Sequence, residues 1–363
     1  MNTIDNHSIF SNLRILEFSS VLAGPAVGMF FAELGAQVIK LENIHAGGDI
    51  TRNWKMSAEG PSTAASAYYH SVNWNKESRF VDLCDEQVKS DIYELVKQTD
   101  IVIANFRYGS AEKLGMDYNT FKKINQGILY GSISAYGKRD PRPGFDVSMQ
   151  AETGWAYMNG EEAGPPIKMP VALIDILAAH QLKEGLLIGL MKRLKTGKGS
   201  EVHVSLFAAS IATLANQASN WLNLGVLPER KGSKHPNIAP YGDILNTKDG
   251  IQMMLTTGTQ GQFVQLCDTL NLSWMITDPK YITNASRLKH RSVLIEKLQA
   301  QASLFTLQEL EARDPKIKSL MSPIQNLQQV FENPEAKSMV LRQTEADGSE
   351  SKRVATVAFK IEE

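Results

Sequence analysis

The 363-residue chain has only two cysteines, Cys84 and Cys267, far apart in sequence. That excludes a disulfide framework and a cysteine-based zinc spacing. Both lie in apolar stretches, which predicts buried free thiols. No pair among the seven histidines has metal-ligand spacing, so no metal is expected. Net charge is -1, which leaves no electrostatic footprint for nucleic acid or an anionic membrane. Any anion site must be a local cluster of bases. No apolar run reaches the roughly 18 residues of a spanning helix. The opening MNTIDNHSIFSN lacks the basic start and apolar centre of a secretory leader, so a cytoplasmic location is expected. GxSxG is absent, and so is the GxGxxG of a dinucleotide site.

What is present is ordinary globular composition, 43% hydrophobic and 21% charged, in a chain long enough for about two or three domains. RILEF reads as a strand, SSVLAGP as a turn, AVGMFFAEL as a helix closed by Gly35, and QVIKLE as a second strand. Pro25 can open that helix, because its missing N–H would be unpaired there. Strands so joined are parallel neighbours with a right-handed crossover. SRFVDLC, DIVIANF and GILYGSISAY continue the strands, with DEQVKSDIYELVKQ and residues 117–124 as helices between them. This order predicts an α/β fold with a Rossmann-like open parallel sheet. Helical propensity then dominates residues 171–222, with TGKG as a turn. KGSKHPNIAPYGDILNTKDG, residues 231–250, marks a boundary. A smaller α+β domain follows, in which IQMMLTT is a strand, GTQGQ a glycine-bearing loop and FVQLCDTLNL a helix. The expected division is a large domain over 1–225, a small domain over 226–325, and a C-terminal segment over 326–363 that returns to the large domain. The closing DGSESKRVATVAFKIEE reads as a hairpin.

Asp175 is the most unusual residue. It stands in PVALIDILAAHQLKEGLLIGL between Ile174 and Ile176. A carboxylate there is costly unless it caps a helix, finds partners or reacts. An N-cap role and a reactive role are compatible, since a helix N-terminus favours an ionised carboxylate. His180 is out of step with Asp175 for a helical dyad, and His235 sits in a loop before Pro236. Glu42, ending the second strand, reads as a solvated surface charge. Lys40, Arg52, Lys76, Arg79, Arg107, Lys113 and Arg139 lie near strand ends or loops. Most read as surface charges, yet bases along that edge suit a polyphosphate.

Seven ordered segments carry a resemblance. LRILEFSSVLAGPAVGMFFAELGAQVIKLENIHAGGDITRNW is followed by NWNKESRFVDL, VIANFRYGSAEKLGMDY, ILYGSISAYG, GFDVSMQAETG, MKRLKTGKGSEVHVSLFAA and HPNIAPYGDILNTKDG. Together they resemble the class III CoA-transferases, the CaiB/BaiF family, over roughly residues 13–340. The resemblance implies a two-domain α/β fold in an interlocked homodimer. It implies an enzyme that moves CoA from an acyl-CoA to a carboxylic acid, with no prosthetic group and coenzyme A as substrate. PVALIDILAAHQ matches the family segment that carries an aspartate nucleophile, which maps to Asp175. The implied intermediates are an aspartyl mixed anhydride and an aspartyl-CoA thioester.

By the same resemblance Val21, Leu22 and Ala23 would line the CoA thiol and pantetheine. Asn43, Lys76, Asn105, Phe106, Arg107 and Lys113 would hold the adenine and phosphates. Phe145 and Asp146 would lie near the reacting carbonyl. Gly258, Thr259, Gln260, Gly261 and Gln262 would form a substrate loop that closes over the intermediate. Three departures from the pattern stand out. Related α-methylacyl-CoA racemases carry a histidine where this chain has Phe145, which cannot move a proton. Formyl-CoA transferases carry glutamine where it has Leu22, which suits a bulkier or more apolar acyl group. The sequence ends before the family's usual closing segment, so a CoA-binding paralogue without turnover is a second alternative beside the racemase.

Overall fold

The computed structural model describes residues 9–60 and 64–361. The first eight residues, part of the segment read as lacking a leader, lie outside them. The described chain divides into two units. Residues up to 156, 168–227 and 335 onward form the first; residues 157–167 and 228–334 form the second. The stretch 157–167 therefore packs with the second unit, although its position in the chain suggested the first.

The first unit is built on a six-stranded sheet in the order β3-β2-β1-β4-β5-β6. The strands are β1 (Arg14–Glu17), β2 (Gln37–Asn43), β3 (Lys76–Val81), β4 (Ile101–Ala104), β5 (Leu129–Ser134) and β6 (Ser200–Ser205). All neighbours are parallel. The order reverses between β1 and β4, the switch point at which open α/β sheets open a crevice at their carboxyl edge. Central β4, IVIA, is wholly buried, as a strand covered on both faces must be.

The helices of this unit are α1 (Ala23–Glu33), α2 (Ala67–His70), α3 (Glu86–Val96), α4 (Ser110–Leu114), α5 (Tyr118–Ile124), α6 (Asp146–Glu152), α7 (Trp155–Met158, at the boundary between the units), α8 (Leu173–Thr196), α9 (Leu206–Ala212) and α10 (Ala215–Leu224). α1 and α8 bury their shared face in one core with Val27, Phe31, Ile174, Ala178 and Leu182. α3 and α5 cover the opposite face with Ile92, Val96 and Phe121. Pro25 is the third residue of α1, not the first. The strand β6 interrupts the region expected to be helical throughout. Its SEVHVS mixes polar and β-branched residues at the sheet edge, so it lacks the apolar run that marks the inner strands. The terminal hairpin pairs β10 (Val340–Thr344) with β11 (Glu350–Val354). The segment read as a hairpin, 347–363, therefore holds only its second strand, and the first strand lies before it.

The second unit carries an antiparallel sheet of β7 (Ile244–Asn246), β8 (Gln252–Leu255) and β9 (Met321–Pro323) in that order. Its core gathers Phe263, Leu266, Tyr281, Leu294 and Leu298. α11 (Gln260–Thr269) packs there and buries Cys267. Cys84, expected to be buried, is exposed in the turn after β3. No helix among the described residues is long and apolar enough to cross a membrane.

Candidate active site

Asp175 is the third residue of α8. The N-cap is Ala172, and no side chain caps that position, so Asp175 is not the cap. Because α8 follows β5 and returns to a parallel neighbour, its N-terminus lies at the carboxyl edge of the sheet. Asp175 is 8% exposed, and no described residue donates a hydrogen bond to its carboxylate. Burial, with the Asp146 carboxylate adding to it, pushes Asp175 up to about 7.

Asp146 is the first residue of α6, and it serves α8 from outside. Its Oδ1 accepts the Ile174 N–H at 2.7 Å, and its Oδ2 accepts Gln150 Nε2 at 2.6 Å. Gln150 Oε1 in turn accepts the Met169 N–H at 2.7 Å, which ties down the chain leading into α8. Phe145, the N-cap of α6, is 62% exposed. Tyr68 on α2 is pushed up to about 12 by burial and by the charges of Asp175, Asp146 and Asp49. Its ring meets Trp54 edge-on, with centroids 5.1 Å apart.

The turn from β1 to α1 lies on the same edge. Val21 and Leu22 are half-buried and Ala23 is buried. Asn105, expected to reach CoA, grips the turn: its Oδ1 accepts the Ser20 N–H at 3.0 Å and its Nδ2 donates to the Ser20 carbonyl at 2.8 Å. Val21 has φ 72°, which costs a non-glycine residue on the order of 1–3 kcal/mol. Two glycines of this segment are required by close approach. A Cβ on Gly24 would stand 2.3 Å from Ser19 Cβ, and one on Gly28 would stand 1.9 Å from Glu17 Oε2.

Beneath the turn lies a buried ion network. Glu17 Oε1 accepts from Lys40 Nζ at 3.0 Å and Glu17 Oε2 from Lys76 Nζ at 2.9 Å. Lys40 also meets Asp49 at 3.2 Å and the Ser19 carbonyl at 2.6 Å. Burial works against the Glu17 charge, but Lys76 and Lys40 together hold its carboxyl below the usual range. At Lys76 burial outweighs Glu17 and lowers the amine, whereas Lys40, opposed by burial but facing Glu17 and Asp49, is raised.

This geometry corrects the reading of the bases. Lys76 donates to Glu17, to the Pro25 carbonyl at 2.8 Å and to Asn73 Oδ1 at 3.0 Å, so its donors are used and it does not reach a phosphate. Lys40 is buried, and Arg52 pairs with Glu42 at 2.6 Å. Glu42 is itself buried rather than solvated. Burial would raise it, but Arg52, Ser78 and the Asp49 N–H bring its carboxyl down to about 2. Arg107 and Lys113 follow β4, are exposed, and have no acidic partner among the described residues. Phe106 is half-buried against Phe18, with ring centroids 5.5 Å apart. Asn43, exposed at the end of β2, accepts the His45 N–H at 2.9 Å. Turn residues Val21 to Ala23, then Asn43, Asn105 to Arg107, Asp146 and Asp175, thus share the carboxyl edge of one sheet.

The expected substrate loop is only partly a loop. Gln260, Gly261 and Gln262 form the first turn of α11, and Thr259 is its N-cap. Gln262 Oε1 accepts the N–H groups of Gly258 and Thr259, each at 3.0 Å, which completes a capping box. Arg287 holds Gln260 Oε1 at 2.9 Å. Asp49 and Tyr68 carry no assigned role in the sequence reading, though both lie in or near segments that bear the resemblance. Asp49 precedes Ile-Thr, and an acid two residues before threonine is the available sign of a local cap.

A buried acid at a helix start, on the carboxyl edge of a parallel sheet with a switch point, places the candidate site where α/β proteins bind their ligands. The sequence pattern of CoA-transferase family III matches residues 10–363, and the chain belongs to that family, the class III CoA-transferases. It is similar to the succinate–glutarate CoA-transferase of Agrobacterium fabrum, 33% identical over 339 residues that cover 92% of this chain and 84% of the relative. It is also similar to the human succinyl-CoA:glutarate CoA-transferase, 32% identical, with 92% and 75% covered. The crystal structure of a CaiB/BaiF family protein from Brucella suis superposes with a TM-score of 0.81 at 33% identity, covering 96% of this chain and 91% of that one.

Proposed function

We propose that the chain transfers CoA between an acyl-CoA and a small carboxylic acid, with Asp175 as the covalent nucleophile. One observation carries this reading: a buried carboxyl at the start of α8 that no described residue hydrogen-bonds, beside a second acid. A group so placed costs stability when it is ionised and is kept ready for reaction.

The atoms balance as follows. The Asp175 carboxylate attacks the thioester carbonyl carbon and releases CoA thiolate, giving a mixed anhydride. The thiolate attacks the aspartyl carbonyl, giving an aspartyl-CoA thioester and releasing the first acid. The acceptor carboxylate attacks that thioester and again releases thiolate, which takes the acceptor's acyl group and frees Asp175. Each intermediate keeps high acyl-transfer energy, so no nucleotide triphosphate enters. Water must be kept out at both stages.

Supports for the binding contacts differ in kind. Val21, Leu22 and Ala23 belong to the turn at the carboxyl edge, and Arg107 and Lys113, which follow β4, are exposed with no acidic partner among the described residues. Phe106, Asn43, Phe145 and Asp146 are available at the same edge. Loop residues Gly258 to Gln262 carry their role from the family likeness alone. The relatives named for succinate and glutarate make dicarboxylates and their CoA thioesters the first substrates to try. A homodimer is supported by exposed apolar side chains on α8 (Ile188, Met191, Leu194) and α10 (Trp221, Leu222, Leu224).

The test is to incubate the protein with succinyl-CoA, quench with hydroxylamine, and map the modified peptide. A hydroxamate at Asp175, with exchange abolished in Asp175→Ala, is expected. Exchange at near wild-type rate in Asp175→Ala contradicts the proposal.

A further inference from the structure

The turn from β1 to α1 is held in a conformation that its own sequence disfavours. Val21 lies in the left-handed region, where a β-branched side chain crowds the backbone and glycine is the usual occupant. The conformation is imposed from outside the turn. Asp49 Oδ1 and Oδ2 accept the Val21 N–H at 3.2 and 3.1 Å. Asn105 and Lys40 hold the two residues before it.

Asp49 is firmly seated. It is 3% exposed, and its N–H donates to Glu42 Oε2 at 2.7 Å. Its Oδ1 also accepts the Thr51 N–H at 3.1 Å and the Thr51 hydroxyl at 2.8 Å, while Oδ2 pairs with Lys40. Ser66 donates its hydroxyl to the Thr51 carbonyl at 2.5 Å and caps α2, the helix that carries Tyr68. One carboxylate therefore links the strained turn to the element whose phenol lies in the field of Asp175 and Asp146.

α1 begins without a side-chain cap, and no described residue accepts the N–H groups of Ala23 or Gly24. We infer that Asp49 is a positioning residue for the transfer reaction. It holds Val21 in the left-handed conformation and so fixes Leu22 and the free first-turn N–H groups of α1 at the edge where the thioester must bind. The inference rests on the proposed role of Asp175. If Val21 relaxed to negative φ, the chain would leave the turn in another direction and carry Leu22 and those donors with it.

Asp49→Asn tests this directly. A carboxamide supplies one oxygen in place of two, and its NH2 must face either Lys40 or the Thr51 N–H. The hold on Val21 therefore weakens. The kcat for CoA exchange should fall by about 30-fold while KM for acyl-CoA moves less than about 3-fold, the sign of misplacement rather than lost binding. Val21→Gly removes the strain that Asp49 opposes. In the Asp49→Asn background it should raise kcat by about 10-fold over Asp49→Asn alone. A purely structural role for Asp49 gives no such rescue. An Asp49→Asn enzyme with wild-type kcat, or a double variant no better than Asp49→Asn, overturns the inference. Should Asp49→Asn fail to fold, hydrogen exchange on the wild-type protein decides. The Val21 amide should be protected, and exchange at the rate of an open turn overturns the inference. Asp175→Ala run in parallel separates the two claims. If it is active, the nucleophile assignment fails. If it is inactive while Asp49→Asn is fully active, only the role of Asp49 fails.

Discussion

Two groups of buried acids in the same unit have opposite surroundings. Glu17, Glu42 and Asp49 are surrounded by cations, hydroxyls and N–H groups. Asp175 is also buried, but no described residue donates a hydrogen bond to it, and the Asp146 carboxylate and the Tyr68 phenol lie within its field. The first group uses its charge to shape a turn and a loop. The second is left unsatisfied, which makes sense if its partner is a substrate. The difference shows that burial alone says little about a carboxylate, and that its hydrogen-bond partners decide what it does.

The largest expected effect is in the satisfied group. Glu17→Ala leaves Lys40 and Lys76 buried without their shared partner, and should lower stability by about 3–5 kcal/mol in urea unfolding. Asp175→Asn should do the reverse. Its folded value is raised, to about 7, above the ordinary 3.8, so the folded state binds more protons between those values. The stability it contributes is complete below 3.8 and is lost as pH rises through about 7. Asn removes that loss, so the variant should gain up to about 4 kcal/mol over wild type at pH 8 and nothing below pH 4. Glu42 gives the opposite slope. It is lowered from 4.5 to about 2, so its contribution is present above 4.5 and lost as pH falls through about 2. Thermal melts of Glu42→Gln and Asp175→Asn should therefore both meet wild type at low pH and part from it as pH rises, Glu42→Gln falling below it and Asp175→Asn rising above it.

The comparison extends to the bases. Lys76 is buried and occupied, whereas Arg107 is exposed and unpaired. Arg107→Ala should raise KM for acyl-CoA by about 5-fold, more at low salt than at high, with an unchanged melting temperature. An equal effect on melting would place Arg107 with the structural bases instead.

The sequence reads well where structure is local. The strands β1, β2, β4 and β5 are short apolar runs, and each is followed by the turn residues and helical period that predict the next element. Asp175 is visible because an acid in an apolar run is costly anywhere. Some features are illegible because of distance along the chain. Lys76 looks like a surface base near a strand end because its partner Glu17 is 59 residues away. Asp49 shows no role in the sequence because the N–H it holds belongs to Val21, 28 residues earlier. β6 was hidden for a different reason: a polar edge strand after a long helix lacks the apolar signature of its neighbours.

The most direct test of the account follows one oxygen atom. In the proposed sequence the acceptor carboxylate leaves an oxygen on Asp175 when CoA thiolate takes its acyl group. Glutarate labelled with oxygen-18 at its carboxylates, supplied with succinyl-CoA, should make the peptide that contains Asp175 heavier by one labelled oxygen per first turnover. Glutaryl-CoA formed at the normal rate with no label in that peptide would contradict the account.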